Sequence, residues 1–300
     1  MRTTRTALVA AAAALALTAC SDPSSSGGGS DDDSTVRIGS AAFPESEIIA
    51  EVYAQALEAE DFSVERRMQI GAREVYLPAL ENGELDMLPE YTGNLLSYID
   101  SETTATSPED IEAELPDALP DGLEILDPAP AENKDSLNVT EDFASENDVA
   151  SIADLADVDG LSLAANPEFA ERSYGIPGME RVYGITGVDF TPINDGGGPA
   201  TLSALLDGTV DVADIYSTTP SIVENNLVTL EDPENMIAAQ NVVPVISSDT
   251  VSDEAIEVLN KVSAELTTED LIEMNTRNSG DEKAAPATIA KDWLEDKGLI

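Results

Sequence analysis

Ala79-Leu80-Glu81-Asn82-Gly83-Glu84-Leu85-Asp86-Met87-Leu88-Pro89-Glu90-Tyr91-Thr92 is matched later in the chain by Ala204-Leu205-Leu206-Asp207-Gly208-Thr209-Val210-Asp211-Val212-Ala213-Asp214-Ile215-Tyr216-Ser217. Both read A-L-x-x-G-x-(L/V)-D-x-x-x-x-Y-(T/S). Each copy describes a helix end, a glycine stop, a short strand, and a tyrosine followed by a hydroxyl residue. Glycine accepts the left-handed backbone that other residues resist at a helix C-terminus. The carboxyl end of a strand is where an open α/β sheet presents its ligand crevice. Two similar units are therefore expected, each setting one tyrosine, Tyr91 or Tyr216, at the mouth of a sheet. The same pattern is also a common helix–strand junction, in which reading the tyrosines are incidental.

Strands and helices alternate on both sides of these copies. Residues 36–40 read as a strand, and 44–60 as a helix whose Ile48, Ile49, Val52, Tyr53, Ala56 and Leu57 share one face at three-four spacing. Residues 62–68 alternate as a strand, and 74–81 and 93–99 read as helices flanking the first copy's strand. Residues 101–121, acidic with prolines, read as a helix between loops, and 123–127 as a strand ending in the stiff Pro128-Ala129-Pro130. The pattern then restarts, with strands at 137–139, 161–165 and 188–193 and helical segments at 151–155, 168–173, 179–183 and 201–206. Asp195-Gly196-Gly197-Gly198-Pro199 precedes the last of these. Three glycines there either offer backbone N–H groups to an anion or only make a flexible turn. Strands at 227–230 and 242–246 follow; Pro244 in the second lacks an N–H, which places it at an edge or a crossing point. Three helices, 253–266, 268–278 and 286–297, close the chain. The alternation predicts mostly parallel α/β sheets.

The N-terminus reads differently. Arg2 and Arg5 precede a short apolar run from Ala7 to Leu17, which describes a secretory signal too short to span a bilayer permanently. Leu17-Thr18-Ala19-Cys20 resembles the bacterial lipobox, in which residues 1–19 are cut off and Cys20 is lipidated. The alternative is an ordinary signal with a chance cysteine. Cys20 is the only cysteine, and it sits at the matching place. Two acyl chains suffice for stable anchoring. Residues 20–35 then form a flexible Ser/Gly/Asp linker, and the folded body is extracytoplasmic, tethered to a membrane.

Charge and composition exclude several classes. The chain carries 14 basic against 60 acidic residues, a net charge of −46, which repels nucleic acid and anionic lipid. An acid excess of this kind resembles proteins from salt-tolerant organisms, where salt screens the self-repulsion. There is no histidine, so the usual general base and the commonest transition-metal ligand are absent. No Cys/His zinc site can form, and no P-loop, dinucleotide or nucleophile-elbow motif is present. Carboxylate pairs are too common here to identify anything. No catalytic residue, cofactor or metal is expected.

An ordered series of short motifs carries a resemblance across residues 36–300. It comprises Gly39-Ser40, Phe43, Glu45, Glu74-Val75, Asn82-Gly83-Glu84-Leu85-Asp86, Pro89-Glu90-Tyr91-Thr92-Gly93 and Asp127-Pro128-Ala129-Pro130. It continues with Pro167-Glu168-Phe169, Arg172, Gly175, Pro177-Gly178, Tyr183-Gly184, Asp211-Val212, Tyr216-Ser217-Thr218, Leu230-Glu231-Asp232, Pro244-Val245, Leu259-Asn260-Lys261 and Leu266-Thr267-Thr268-Glu269. Together these resemble the substrate-binding proteins of osmoprotectant ABC importers, the glycine betaine/choline/carnitine-binding group. The resemblance implies an α/β type II periplasmic-binding-protein fold, with two α/β lobes, two crossing segments and a ligand cleft between the lobes. It places crossings near 128–131 and 237–243, lobe 1 at 36–129 and 243–300, and lobe 2 at 130–242. The lobes close on a small-molecule solute, and permease subunits with their ATPase receive the closed form.

The resemblance also implies a ligand site. A quaternary ammonium has no N–H to donate, so aromatic faces hold it, at about 0.5–2 kcal/mol per contact. The family uses a box of tyrosines, and Tyr91 and Tyr216 match two walls. Two further walls differ. Asn133-Lys134-Asp135 stands where relatives read N-x-Tyr, and Gln240 stands where they carry a tyrosine. Ala41-Ala42-Phe43-Pro44-Glu45-Ser46 also lacks the family's lysine and glutamine. Asn133 matches a position that meets the ligand's polar end. Asp135 can replace a ring by direct charge, and Gln240 can hydrogen-bond a polar tail; equally, the ligand is not glycine betaine. Arg73 and Glu74 precede the first copy's helix, where Arg73 either meets a ligand carboxylate or forms a surface ion pair. The expectation is a receptor that breaks no bonds, anchored through lipid. A receptor for an amino acid or ectoine-like solute, or a tethered sensor domain, is the alternative.

Overall fold

The computed structural model describes residues 35–300. The expected signal sequence and Cys20 lie outside them, as does the expected linker except Thr35, which opens the first strand. The first run of elements is β1 (Thr35–Gly39), α1 (Pro44–Ala59), β2 (Ser63–Arg67), α2 (Arg73–Glu81), β3 (Met87–Tyr91), α3 (Thr92–Ile99), α4 (Pro108–Ala118) and β4 (Leu123–Ile125). The second is β5 (Leu137–Thr140), α5 (Glu141–Asn147), β6 (Ser162–Ala165), α6 (Ile176–Tyr183), β7 (Asp189–Pro192), α7 (Pro199–Leu206), β8 (Val212–Asp214), α8 (Ser221–Glu224) and β9 (Leu227–Thr229). The chain ends with β10 (Val242–Ser247), α9 (Asp253–Glu265), α10 (Thr268–Ser279) and α11 (Pro286–Lys297).

These strands form two sheets, ordered β2-β1-β3-β10-β4 and β7-β6-β8-β5-β9. Both are mixed rather than mostly parallel. β1 pairs in parallel with β2 and β3, and β6 with β7 and β8. β10 is antiparallel to β3 and β4, and β5 to β8 and β9. The reversed strand in each sheet is the first one after the chain has crossed from the other. Alternation with helices predicts parallel pairing within a unit, but it carries no information about the direction of a strand that arrives by a crossing.

Pro244 decides between two expectations. β10 is central in its sheet, not at an edge, and it opens where the chain crosses back to the first sheet. Pro244 stands opposite Pro89 on β3, and its carbonyl accepts a 2.9 Å bond from the Leu126 N–H on the other side. The return bond from Pro244 is impossible, and pairing with β4 ends one step away, at Val245 and Ile125. The proline is accommodated where a ladder stops.

The repeat is one of structure as well as sequence. Gly83 and Gly208 both adopt left-handed backbone, with φ of 69° and 68°. Asp86 accepts a 2.8 Å bond from the Arg37 N–H, and Asp211 a 2.9 Å bond from the Ser162 N–H. Each aspartate thus ties its loop to the neighbouring parallel strand, 49 residues earlier in both copies.

The N- and C-terminal parts share one core. On α1, Ile48, Ile49, Val52 and Leu57 are fully buried, each contributing about 1.5–3 kcal/mol relative to exposure. They belong to one cluster with Leu259, Val262, Leu271, Trp293 and Leu294 of the closing helices. The Tyr53 hydroxyl meets Ser263 Oγ at 2.8 Å inside this cluster. A separate cluster around Leu137, Val139, Leu163 and Met179 serves the second sheet. Helix α5 escapes sequence reading because none of its residues is buried, so no apolar face marks it; the Thr140 side chain caps it by accepting from the Phe143 N–H. The helix expected at 151–155 is a 3-10 turn over Ile152–Asp157, fixed by a Ser151–Asp154 capping box.

Two segments join the units and bond to each other. Val242 N–H donates to Ala131 O at 3.0 Å, Ala129 N–H to Val242 O at 2.7 Å, and Asn133 N–H to Gln240 O at 3.1 Å. Helix α3 starts against the second segment, with Gly93 N–H donating to Ala239 O at 3.1 Å. A methyl group on Gly93 would sit 2.4 Å from that oxygen, so only glycine allows this approach.

Candidate functional site

The carboxyl ends of β3 and β8 face one cleft, about 870 Å³ counted to its open mouth. Tyr91 is the last residue of β3, and Tyr216 lies just past the end of β8. Both line the cleft, as expected. Phe43, in the loop before α1, joins them: its ring centroid is 6.1 Å from that of Tyr91 and 5.7 Å from that of Tyr216. One continuous aromatic wall therefore spans both units. Tyr174 and Phe169, themselves in edge contact at 6.3 Å, line the cleft from the second unit. The ring content lost at two expected tyrosine positions is thus partly restored by residues elsewhere.

The tyrosine hydroxyls are tethered. Tyr91 donates to Glu45 Oε1 at 2.6 Å, and the Asn166 side chain donates to the Tyr216 hydroxyl at 2.9 Å. Burial and the adjacent Glu45 carboxylate push the Tyr91 pKa well up, and burial followed by Asp135 and Asp214 does the same at Tyr216. Both rings are neutral at any physiological pH.

Glu45 gathers four donors from distant parts of the chain. Besides Tyr91, these are Asn133 at 2.7 Å, Asn275 at 2.6 Å and Thr218 at 2.5 Å. A buried carboxylate is tolerable only with such saturation. Glu45 thereby fixes Tyr91, the first crossing and the second unit to the start of α1. Asn133 lines the cleft, but its side-chain amide is committed to this carboxylate.

Arg73 opens α2 and is buried, so it is not a surface ion pair. Its guanidinium grips Glu90 with two bonds, 2.7 and 2.8 Å. Glu90 also accepts from the Tyr76 hydroxyl at 2.7 Å and the Tyr91 N–H at 2.9 Å. Burial alone would lower the Arg73 pKa; the charge and hydrogen bonds of Glu90, with Tyr76 and Tyr174, together outweigh it and hold it well above the ordinary value. Arg73 lines the cleft from α2. Glu74, its neighbour, is not among the cleft-lining residues. It pairs at 2.6 Å with Arg172, whose guanidinium also lies 5.2 Å from the Tyr98 ring centroid.

Asp135 lines the cleft beside Asp214, within hydrogen-bonding reach of it. Asn94 donates to Asp135 Oδ2 at 2.9 Å, while Asp214 Oδ1 is buried without a partner. Burial pushes both carboxyl groups up, and the Asp135 charge adds to the rise at Asp214. Gln240 is fully enclosed and does not line the cleft. It donates to Asn94 Oδ1 at 2.7 Å and accepts from the Asn94 N–H at 2.9 Å. Its role is to orient the amide that holds Asp135.

The glycine run before α7 binds no anion through the helix N-terminus, because Asp195 already occupies those donors. It accepts from Gly198, Ala200 and Thr201 N–H groups at 3.1, 2.7 and 3.2 Å. Gly197, with φ of 71°, lets the loop pass against Ile215, where a Cβ would lie 2.8 Å from that residue's Cα. Sequence reading missed Phe43, Tyr174 and Asp214 as cleft residues. Asp214 was open to detection, since it stands two residues before the repeat tyrosine where the first copy has Pro89.

A family model described as the substrate-binding domain of ABC-type glycine betaine transport systems matches residues 34–296. The chain belongs to this family. The resemblance read from the sequence therefore holds, and the chain is an extracytoplasmic substrate-binding protein of ABC transport rather than an enzyme. It is 30% identical over 279 residues to the glycine betaine-binding protein YehZ of Escherichia coli, covering 88% of this chain and 91% of that one. It is 25% identical to the carnitine transport binding protein OpuCC of Listeria monocytogenes, covering 87% and 86%. The apo structure of YehZ superposes with a TM-score of 0.64 at 28% identity, covering 89% of this chain and 100% of that one. A crystal structure of a glycine betaine/carnitine/choline ABC transporter gives 0.70 at 21% identity, covering 88% and 99%, and confirms the two-lobed α/β fold. Among the described residues no helix is long and apolar enough to cross a membrane.

Proposed function

We propose that this family member is a lipid-anchored receptor that captures a quaternary ammonium osmoprotectant, of the glycine betaine, choline or carnitine type, for an ABC permease and its ATPase. The observation that carries this reading is the aromatic wall of Tyr91, Phe43 and Tyr216 standing in the same cleft as the Asp135–Asp214 pair. Ring faces attract a cation that cannot donate hydrogen bonds, each by about 0.5–2 kcal/mol. The nearby carboxyl pair supplies charge where two rings have been replaced. Tyr91, Tyr216, Asp135 and Asn133 would meet the ligand. Arg73 would shape the cleft beneath it, and Gln240 and Glu74 would act through Asn94 and Arg172. Lobe 1 would comprise 36–129 and 243–300 and lobe 2 130–242, with closure bringing the two tyrosines together. Cys20 would carry the lipid.

A second reading has its own support. Arg172 lines the same cleft as the carboxyl pair, so an amino acid could be held at both its ends. Titration of the purified chain with choline, glycine betaine, carnitine, proline and ectoine in high salt separates the two. Binding of at least one of the first three supports the proposal. Binding of proline or ectoine with none of the first three overturns it.

A further inference from the structure

We propose that Asp135 and Asp214 hold one proton between them in the empty cleft, and that a permanently cationic ligand expels it to solvent on binding. The inference rests on the quaternary ammonium reading and assigns the charge chemistry of that site.

The geometry requires a proton. Asp214 and Asp135 are 2% and 8% exposed, and they lie within hydrogen-bonding reach of each other. Two ionised carboxylates at that separation, away from water, repel strongly. Asn94 gives Asp135 one donor, and Asp214 Oδ1 has none. A buried oxygen with no donor is rare and costly. A single proton on one carboxyl supplies the missing donor and removes one charge together.

No surrounding group can do this instead. Arg73 is the cation that acts on Asp135, but its guanidinium is engaged in both bonds to Glu90. Arg172 is paired with Glu74. Burial and the two aspartates push the Tyr174 and Tyr216 pKa values up, so both keep their hydroxyl protons, but neither hydroxyl bonds Asp214 Oδ1. Glu45 is saturated by its own donors. Lys134, next in sequence to Asp135, turns to Glu132 at 3.5 Å. Glu168, which also lines the cleft, can only add negative charge.

A bound quaternary ammonium changes the balance. Its charge next to the pair favours the doubly ionised form, so one carboxyl O–H bond breaks and its proton passes to water. Nothing is oxidised or reduced. By linkage, affinity for the cation rises about tenfold per pH unit while the empty pair is protonated and levels off above that range. A neutral ligand of the same shape leaves the proton in place.

Infrared difference spectroscopy reads a protonated carboxyl through its C=O stretch. The ligand-free chain is expected to show such a band at neutral pH, and Asp214→Asn is expected to remove it. Asp135→Asn provides a second variant; its amide can donate to the remaining carboxylate and hold it ionised, so the same band should go. Adding choline to the wild type should bleach the band. Titration calorimetry in two buffers of different ionisation enthalpy should count about one proton released per choline bound. The neutral carbon isostere of choline should release none. A ligand-free chain without the band, or choline bound with no proton released, overturns the inference and leaves the quaternary ammonium reading intact. If no quaternary ammonium binds, that reading falls and takes the inference with it.

Discussion

Arg172 Nη2 lies 2.6 Å from Glu74 Oε1, and the two residues come from opposite sides of the cleft. Arg172 follows β6 in the second unit, while Glu74 stands in the first turn of α2 in the first. The same guanidinium packs on Tyr98 of α3. This contact joins the two units, and on the proposed function it would form only when the cleft closes. Replacing Arg172 by Ala should weaken ligand affinity about threefold to tenfold, the worth of a half-exposed ion pair plus one cation–π contact. The loss should appear as faster dissociation in stopped-flow fluorescence. Unchanged affinity and off-rate would show that the pair plays no part in closure.

The aromatic wall gives a sharper expectation. Tyr91→Ala and Tyr216→Ala should each lower affinity for a quaternary ammonium by about tenfold or more, measured by calorimetry, since each removes a ring worth about 0.5–2 kcal/mol and opens the cleft to water. Tyr91→Phe separates the ring from its tether. It keeps the face but leaves Glu45 short of one donor. Affinity should change less than in the alanine variant, while stability to urea falls by about 1–3 kcal/mol.

The buried ion pair predicts a large stability effect without catalysis or ligand contact. Arg73→Met leaves Glu90 buried and unpaired apart from Tyr76 and the Tyr91 N–H. Losing one partner of such a pair costs about 3–5 kcal/mol. Urea denaturation of the ligand-free variant measures it; a loss below about 1 kcal/mol would show that the pair is far better hydrated than its burial indicates.

The acidic pair sets a pH dependence with a definite sign. Burial raises the folded pKa values of both carboxyls above the ordinary aspartate value. A raised carboxyl binds its proton more tightly when folded, so its contribution is fully present below the unfolded pKa and is lost as pH rises through the folded one. The ligand-free protein should therefore lose stability from this pair as pH climbs out of the ordinary carboxylate range. Asp214→Asn removes the titration. It should raise the melting temperature of the empty protein by about 2–4 °C at neutral pH, as stabilising changes at functional sites do, and weaken cation binding. A lower melting temperature would contradict this.

Tyr91 and Tyr216 were legible because an exact spacing recurs around each, and the structural reason for the recurrence is visible in Asp86 and Asp211, which make the same strand contact in both units. The long amphipathic helix α1 and the closing helices were legible from periodicity. Glu45 was not. Its four partners lie at Tyr91, Asn133, Thr218 and Asn275, and one saturated carboxylate cannot be told from the other acids among 60 Asp and Glu. Phe43 escaped for a related reason, since it touches both tyrosines only once the lobes face each other. Of the two alternatives for Pro244 the edge failed, because the rule that excludes proline from central strands assumes that both ladders continue. Here one of them ends at that residue. Arg73 looked like a surface cation because nothing local reveals that Glu90, on the neighbouring strand, is enclosed with it.

The most direct measurement is a crystal structure of the chain grown with the quaternary ammonium that binds it best. The expected result places the ligand nitrogen within about 6 Å of the Tyr91 and Tyr216 ring centroids, on the side of the cleft that faces Asp135 and Asp214. A nitrogen seated away from both rings, or a ligand held outside this cleft, would contradict the assignment.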